Sequence, residues 1–134
     1  MDNNWYLQIQ SKVFTQVEYM MKKKYPKLNC TTRNQNGLPS TFPTLYLHEL
    51  APVEAGMDVT NETVNAVIST IEIQVWTNTT ENDCRKIIGE AVNQMKALNY
   101  NIIAMPLVEE SDKVSWGVAR CRRMVGNGDY LITS

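Results

Sequence analysis

Apolar residues recur at three- and four-residue steps at the start of the chain. Trp5, Ile9, Val13, Val17, Met20 and Met21 form one stripe, which predicts a helix with a single buried face. Asn3 or Asn4 is placed to cap its start. Lys22, Lys23 and Lys24 fill the last turn, where cations meet the negative helix end. Pro26 disfavours helical geometry at Tyr25 and stops the element. Residues 29–43 are rich in Asn, Thr, Ser, Gly and Pro and read as a connector with turns.

The pattern then changes to a period of two. In Thr44–Leu50, Leu45 and Leu47 face one side of a strand, Tyr46 and His48 the other. In "NAVISTIEIQVWTN", Val67, Ile71, Ile73 and Val75 oppose Thr70, Glu72 and Gln74. A second helix follows, capped by Asn78 or Thr80, with Cys84, Ile87, Ile88, Ala91, Val92, Met95 and Leu98 on its apolar stripe. Gly89 lies inside this helix, as if to permit a close backbone approach. "NIIAMPLVEESDKVSWGVARCRRM" reads as two strands joined by an acidic turn at Glu109–Asp112. Pro106 lacks an amide donor, so its strand belongs at a sheet edge or carries a bulge. Ser115, Gly117, Ala119 and Cys121 make one face of the last strand small, which predicts close packing there. The tail "VGNGDYLITS" opens on turn glycines and reads as loosely held.

Between the first two strands, "APVEAGMDVTNETVN" fits neither period. So long a structureless segment is uncommon in a compact domain unless it has a function. Together these elements predict an α+β fold over residues 1–134 as a single domain. The expected form is a two-layer sandwich. A mainly antiparallel sheet of about four strands carries both helices on one face, and a long strand-to-strand arm leaves it.

The 134 residues suffice to bury a core without staples. A net charge of −1 argues against general nucleic-acid affinity, which needs a positive field. Three widely spaced cysteines, Cys30, Cys84 and Cys121, form neither a disulfide framework nor a zinc motif and suit a reducing compartment. The first residues show no basic and apolar signal pattern. The longest apolar run, Ile102–Val108, is too short to span a bilayer.

Candidate chemistry is sparse. The single histidine, His48, has Glu49 beside it on the opposite sheet face, so the two do not converge. Cys84 stands near a helix N-terminus, where a thiolate is favoured, but it also begins the apolar stripe, and packing is the better reading. Gly126–Gly128 lacks the third glycine and following helix of a dinucleotide loop. Glu109, Glu110 and Asp112 read better as solvated turn residues than as a cation site. Neither a catalytic residue, a cofactor site nor a metal site is assigned, and no enzyme is expected.

Charge distribution is more informative. Lys22, Lys23, Lys24 and Lys27 form one basic cluster, and Arg120, Arg122 and Arg123 a second. Glu49, Glu54, Asp58 and Glu62 make the long segment acidic. Each cluster alone reads as solvated surface; together they suit a head-to-tail contact between copies. Val53, Met57 and Val59 supply apolar anchors for it. The candidate assembly interface is therefore Val53, Glu54, Met57, Asp58, Val59 and Glu62 with Lys22, Lys23, Lys24, Arg120, Arg122 and Arg123.

The order of elements resembles the tail-terminator, or tail-completion, proteins of long-tailed bacteriophages. The resemblance covers most of the chain. It rests on the amphipathic first helix, "TLYLHEL", the long excursion, "STIEIQVWTNTTENDCRKIIGEAVNQMKAL" and the ending "WGVARCRRMVG". It is one of order and texture, and no residue role transfers by motif. It implies a homo-hexameric ring that caps the tail tube and meets the head connector. The implied partners are the protein itself, the major tail tube protein and a head connector or neck protein. In such a ring Arg120, Arg122 and Arg123 could line the lumen and face passing genomic DNA, or pair with a neighbour's acids; no membrane is involved. The implied location is the tail–neck junction of the virion, after assembly in the host cytoplasm. A head-completion protein on the portal side, or a host small-ligand or regulatory α+β domain, is the competing reading.

Overall fold

The computed structural model describes residues 4–33, 38–55 and 63–133. They form an α+β fold with a mixed six-stranded sheet and three helices. A short 3-10 turn, Trp5–Gln8, leads into α1, Ile9–Lys24. Ile9, Val13, Val17 and Met21 are all buried. This four-residue spacing is the predicted stripe, with Met20 only half-buried at its margin. Helix α2, Glu81–Ala97, begins at Thr80, whose hydroxyl accepts a hydrogen bond from the Asp83 amide at 3.1 Å. Of the two expected caps, Thr80 is the one used.

The strands are β1 (Asn29–Thr31), β2 (Thr44–Glu49), β3 (Val53–Ala55), β4 (Ala66–Thr77), β5 (Asn101–Ser111) and β6 (Val114–Gly126). The sheet order is β1-β2-β4-β6-β5, and β3 also pairs with β4. All pairings are antiparallel except β1 with β2. The expectation of about four strands thus falls short by β1 and β3, of three residues each. Both lie in stretches of turn-like composition. Each is ordered by a neighbouring strand offering free backbone groups, which local pattern does not reveal.

β4 alternates strictly: Val67, Ser69, Ile71, Ile73, Val75 and Thr77 are buried, and the residues between them are half-buried. Its buried face, with Leu45 and Leu47 of β2 and Ala119, Cys121 and Val125 of β6, joins α1 and α2 in one core. The small face of β6 is where α2 comes closest. A Cβ added to Gly117 would lie 3.0 Å from Ile88 Cδ1 and 3.1 Å from Val108 Cγ2. Gly89 shows no such approach: a Cβ there meets nothing within 4 Å.

β5 is an edge strand, and its pairing with β6 shifts register between Ile102 and Ala104 and again between Ala104 and Leu107. Pro106 sits inside the second irregularity, as its missing donor requires. The C-terminal stretch is better held than its glycines suggested. After a turn it forms α3, Tyr130–Thr133, and Leu131 is buried in the core.

Candidate assembly surface

Successive side chains of a strand alternate between faces, so the residues opposite the core define an outward face. Rows of paired residues cross it. Asn29, Thr44, Trp76, Trp116 and Glu109 form one row, and Thr31, Tyr46, Gln74, Val118 and Leu107 the next. His48, Glu72, Arg120 and Ala104 form the third. Val53, Ile68 and Met124 lie further along. Trp76 and Trp116 stack with ring centroids 5.6 Å apart, and Tyr46 stacks on His48 at 5.7 Å.

A hydrogen-bond chain runs along β4 on this face. Trp76 Nε1 donates to Gln74 Oε1 at 3.3 Å, and Gln74 Nε2 donates to Glu72 Oε1 at 2.9 Å. Arg120 Nε donates to the other Glu72 oxygen at 2.9 Å from the neighbouring strand. These bonds orient the polar groups between two aromatic stacks. Apolar side chains remain in solvent around them: Val53 and Met124 are each 61% exposed, Leu107 64% and Met105 71%. Val53, Met124 and Leu107 share the outward face, whereas Met105 sits at the β5 edge beside Lys96, Asn99 and Tyr100; exposed apolar groups of this size are candidates for a contact surface.

The predicted interface residues divide. Arg120 and Arg122 pair with Glu72 and Thr70 on the outward face. Arg123 does not join them, because one step along a strand reverses the side chain. It turns to the other face, where its Nη2 donates to both carboxylate oxygens of Asp129 at 2.8 and 3.0 Å. Its guanidinium also lies 5.1 Å from the centre of the Tyr130 ring. The pair is largely buried, and Arg123 Nη1 is buried with no hydrogen-bond partner among the described residues. Arg123 is therefore a fastener of the C-terminal turn.

Lys22, Lys23 and Lys24 emerge at the end of α1, as the sequence implies. Lys22 pairs with Glu18 at 3.5 Å, Lys24 with Glu90 at 3.2 Å, and Lys23 lies 4.3 Å over the Tyr19 ring. All three remain exposed. Val53 and Glu54 are exposed on β3, so the long segment is not structureless: part of it is a strand paired to β4. Its other end is tied down, with Trp5 Nε1 donating to the Val64 carbonyl at 2.8 Å. Met57, Asp58, Val59 and Glu62 lie outside the described residues.

Glu49 is not part of an acidic arm either. It turns to the core side, where Ser69 Oγ donates to it at 2.6 Å and also lies 2.9 Å from Tyr100 Oη. Burial raises the Glu49 carboxyl above its ordinary value, partly offset by the Ser69 bond. Burial likewise raises Tyr100.

The cysteine thiols are not activated. Burial pushes Cys30, Cys84 and Cys121 each up to about 11. For Cys84 burial outweighs the Thr77 hydrogen bond and the nearby Arg85 charge, which favour the thiolate, and its Sγ donates to the Val75 carbonyl at 3.5 Å. A cleft of about 270 Å³ opens beside β1, with Arg33 at its margin and Tyr46, Gln74 and Trp76 among its walls. Among the described residues, no group of three or more His, Cys, Asp or Glu is placed to hold a metal ion. No helix there is long and apolar enough to cross a membrane. Comparison of the sequence with known protein families and with curated proteins finds no match for this chain.

Proposed function

We propose that the protein is a structural assembly subunit that works by contacting copies of itself and adjoining particle components. The most specific form of this reading is the one its element order implies: a homo-oligomeric ring that caps a phage tail tube and joins it to the head connector. The observation that carries it is the distribution of exposed apolar groups. Val53, Leu107, Met124 and Met105 leave the outward face and the β5 edge poorly suited to permanent solvation. A two-layer arrangement with both helices on the core side leaves this face available. Arg120 and Arg122 then lie on a surface that a lumen or a neighbour can use.

Electron microscopy of the purified protein, alone and with its tube protein, tests this reading. Rings are expected. A strictly monomeric protein in both samples overturns it. Deleting residues 56–62 is expected to leave a folded subunit with weakened partner contact. Pull-down against tube and head-connector proteins separates a tail-capping subunit from a head-completion one.

The cleft beside β1 favours a second reading, a small-ligand domain. Tyr46 and Trp76 offer aromatic walls, and Gln74 and Arg33 offer polar groups. Under that reading the protein is a monomer or dimer, and Trp76→Ala abolishes ligand-induced thermal stabilisation without altering the oligomeric state.

A further inference from the structure

The two edges of the sheet differ in sign and match in level. β5 is eleven residues long, and its exposed positions include Ile103, Met105 and Leu107. Two bulges and Pro106 blunt its first part, but from Leu107 to Ser111 its pairing with β6 is regular, and a regular exposed edge is a template for another strand. Glu109, Glu110 and Asp112 give its end a negative charge, with Lys113 the only cation among residues 109–114. The opposite edge is β1, flanked by exposed Lys27 and Arg33, with Lys22 of α1 near enough to act on the Cys30 thiol.

The register aligns these ends. Asn29 of β1 and Glu109 of β5 close the same row, as do Thr31 and Leu107. Lys27 lies two residues before Asn29 and Glu110 one after Glu109, and because the strands run oppositely both fall on the same side of that row. Strand direction agrees as well. β5 runs with β4, whereas β1 runs with β2 against β4. Placing a second copy side by side in the same orientation therefore sets β5 of one antiparallel to β1 of the next.

We propose that neighbouring copies join edge to edge, β5 of one against β1 of the next, continuing the sheet between subunits and setting Glu110 and Asp112 against Lys27. This deepens the assembly reading above and rests on it. The occupant is a second copy in head-to-tail order, because the charges are complementary only that way. In a two-fold β5–β5 pairing, the acidic end would meet the uncharged stretch Asn101–Val108.

Charge reversal tests the contact. At a concentration where the wild type assembles, measured by sedimentation, Glu110→Lys and Lys27→Glu are each expected to weaken self-association about tenfold. Combining them is expected to restore it to within about threefold, since each loss is a rim charge contribution of about 1.4 kcal/mol. Both positions are exposed, and thermal melts at a concentration too low for assembly should match the wild type. Wild-type rings that are indifferent to the single reversals, or a double variant as weak as the singles, overturn the edge contact and leave the ring standing. A saturating two-fold dimer with β5 amides protected from exchange also overturns it. A wild type that never assembles, even with its tube protein, overturns both.

Discussion

Ile88 of α2 occupies the space that a side chain at Gly117 would need, with its Cδ1 3.0 Å from the position of a Cβ there. Ile88 is itself buried in the core, so it has little freedom to give way. Gly117→Ala is expected to lower stability by about 1–3 kcal/mol, the usual cost of overfilling a packed site. Gly89→Ala has open space and a helical setting, so it is expected to raise stability by up to about 1 kcal/mol. Denaturant unfolding of the two variants should move the midpoint in opposite directions.

Separating Arg123 from Asp129 should loosen the C-terminal turn. Their side chains are only 11% and 15% exposed, and Asp129 Oδ1 also accepts a hydrogen bond from the Leu131 amide. Asp129→Ala leaves a guanidinium largely buried without its carboxylate, at an expected cost of about 3 kcal/mol. Hydrogen exchange should show the loss first at the amides of residues 127–132.

Glu49 should make stability depend on pH in the direction opposite to a surface ion pair. Burial raises its folded value above the ordinary 4.5. The folded state therefore prefers the protonated form, and stability is lost as pH rises past 4.5 and through the raised value. Glu49→Gln keeps an acceptor for Ser69 and removes the titration. Its stability relative to the wild type should grow between acidic and neutral pH, as followed by thermal melts across that range.

Native thiols should resist alkylation. With Cys30, Cys84 and Cys121 each raised to about 11, little thiolate exists near neutrality. Iodoacetamide at mildly alkaline pH should label the folded protein slowly and the denatured protein at all three positions, counted by mass spectrometry.

The parts of the fold legible in sequence are those where one strong period governs a long element. The stripe from Ile9 to Met21, the alternation along β4 and the edge position of Pro106 all belong to this class. β1 and β3 are not of this class, because three residues carry no period and their pairing depends on the strand beside them. The arginine cluster misled for a related reason. Adjacency in sequence is separation in a strand, and it sent Arg123 to the opposite face from Arg120 and Arg122. Glu49 read as surface charge because its partner, Ser69, lies on another strand. The level match between Asn29 and Glu109, on which the proposed edge contact rests, is equally invisible locally, because it depends on registers across four strand pairs.

Ala55 stands directly opposite Ala66 where β3 meets β4. The two ends of the intervening chain are thus pinned side by side, whatever number of residues joins them. The closure penalty grows only logarithmically with length, so an epitope tag or a fluorescent label spliced between these alanines should cost the fold little. Since residues 56–62 also belong to the proposed assembly surface, such an insertion separates the two roles of this junction: it should leave the fold intact while weakening self-association.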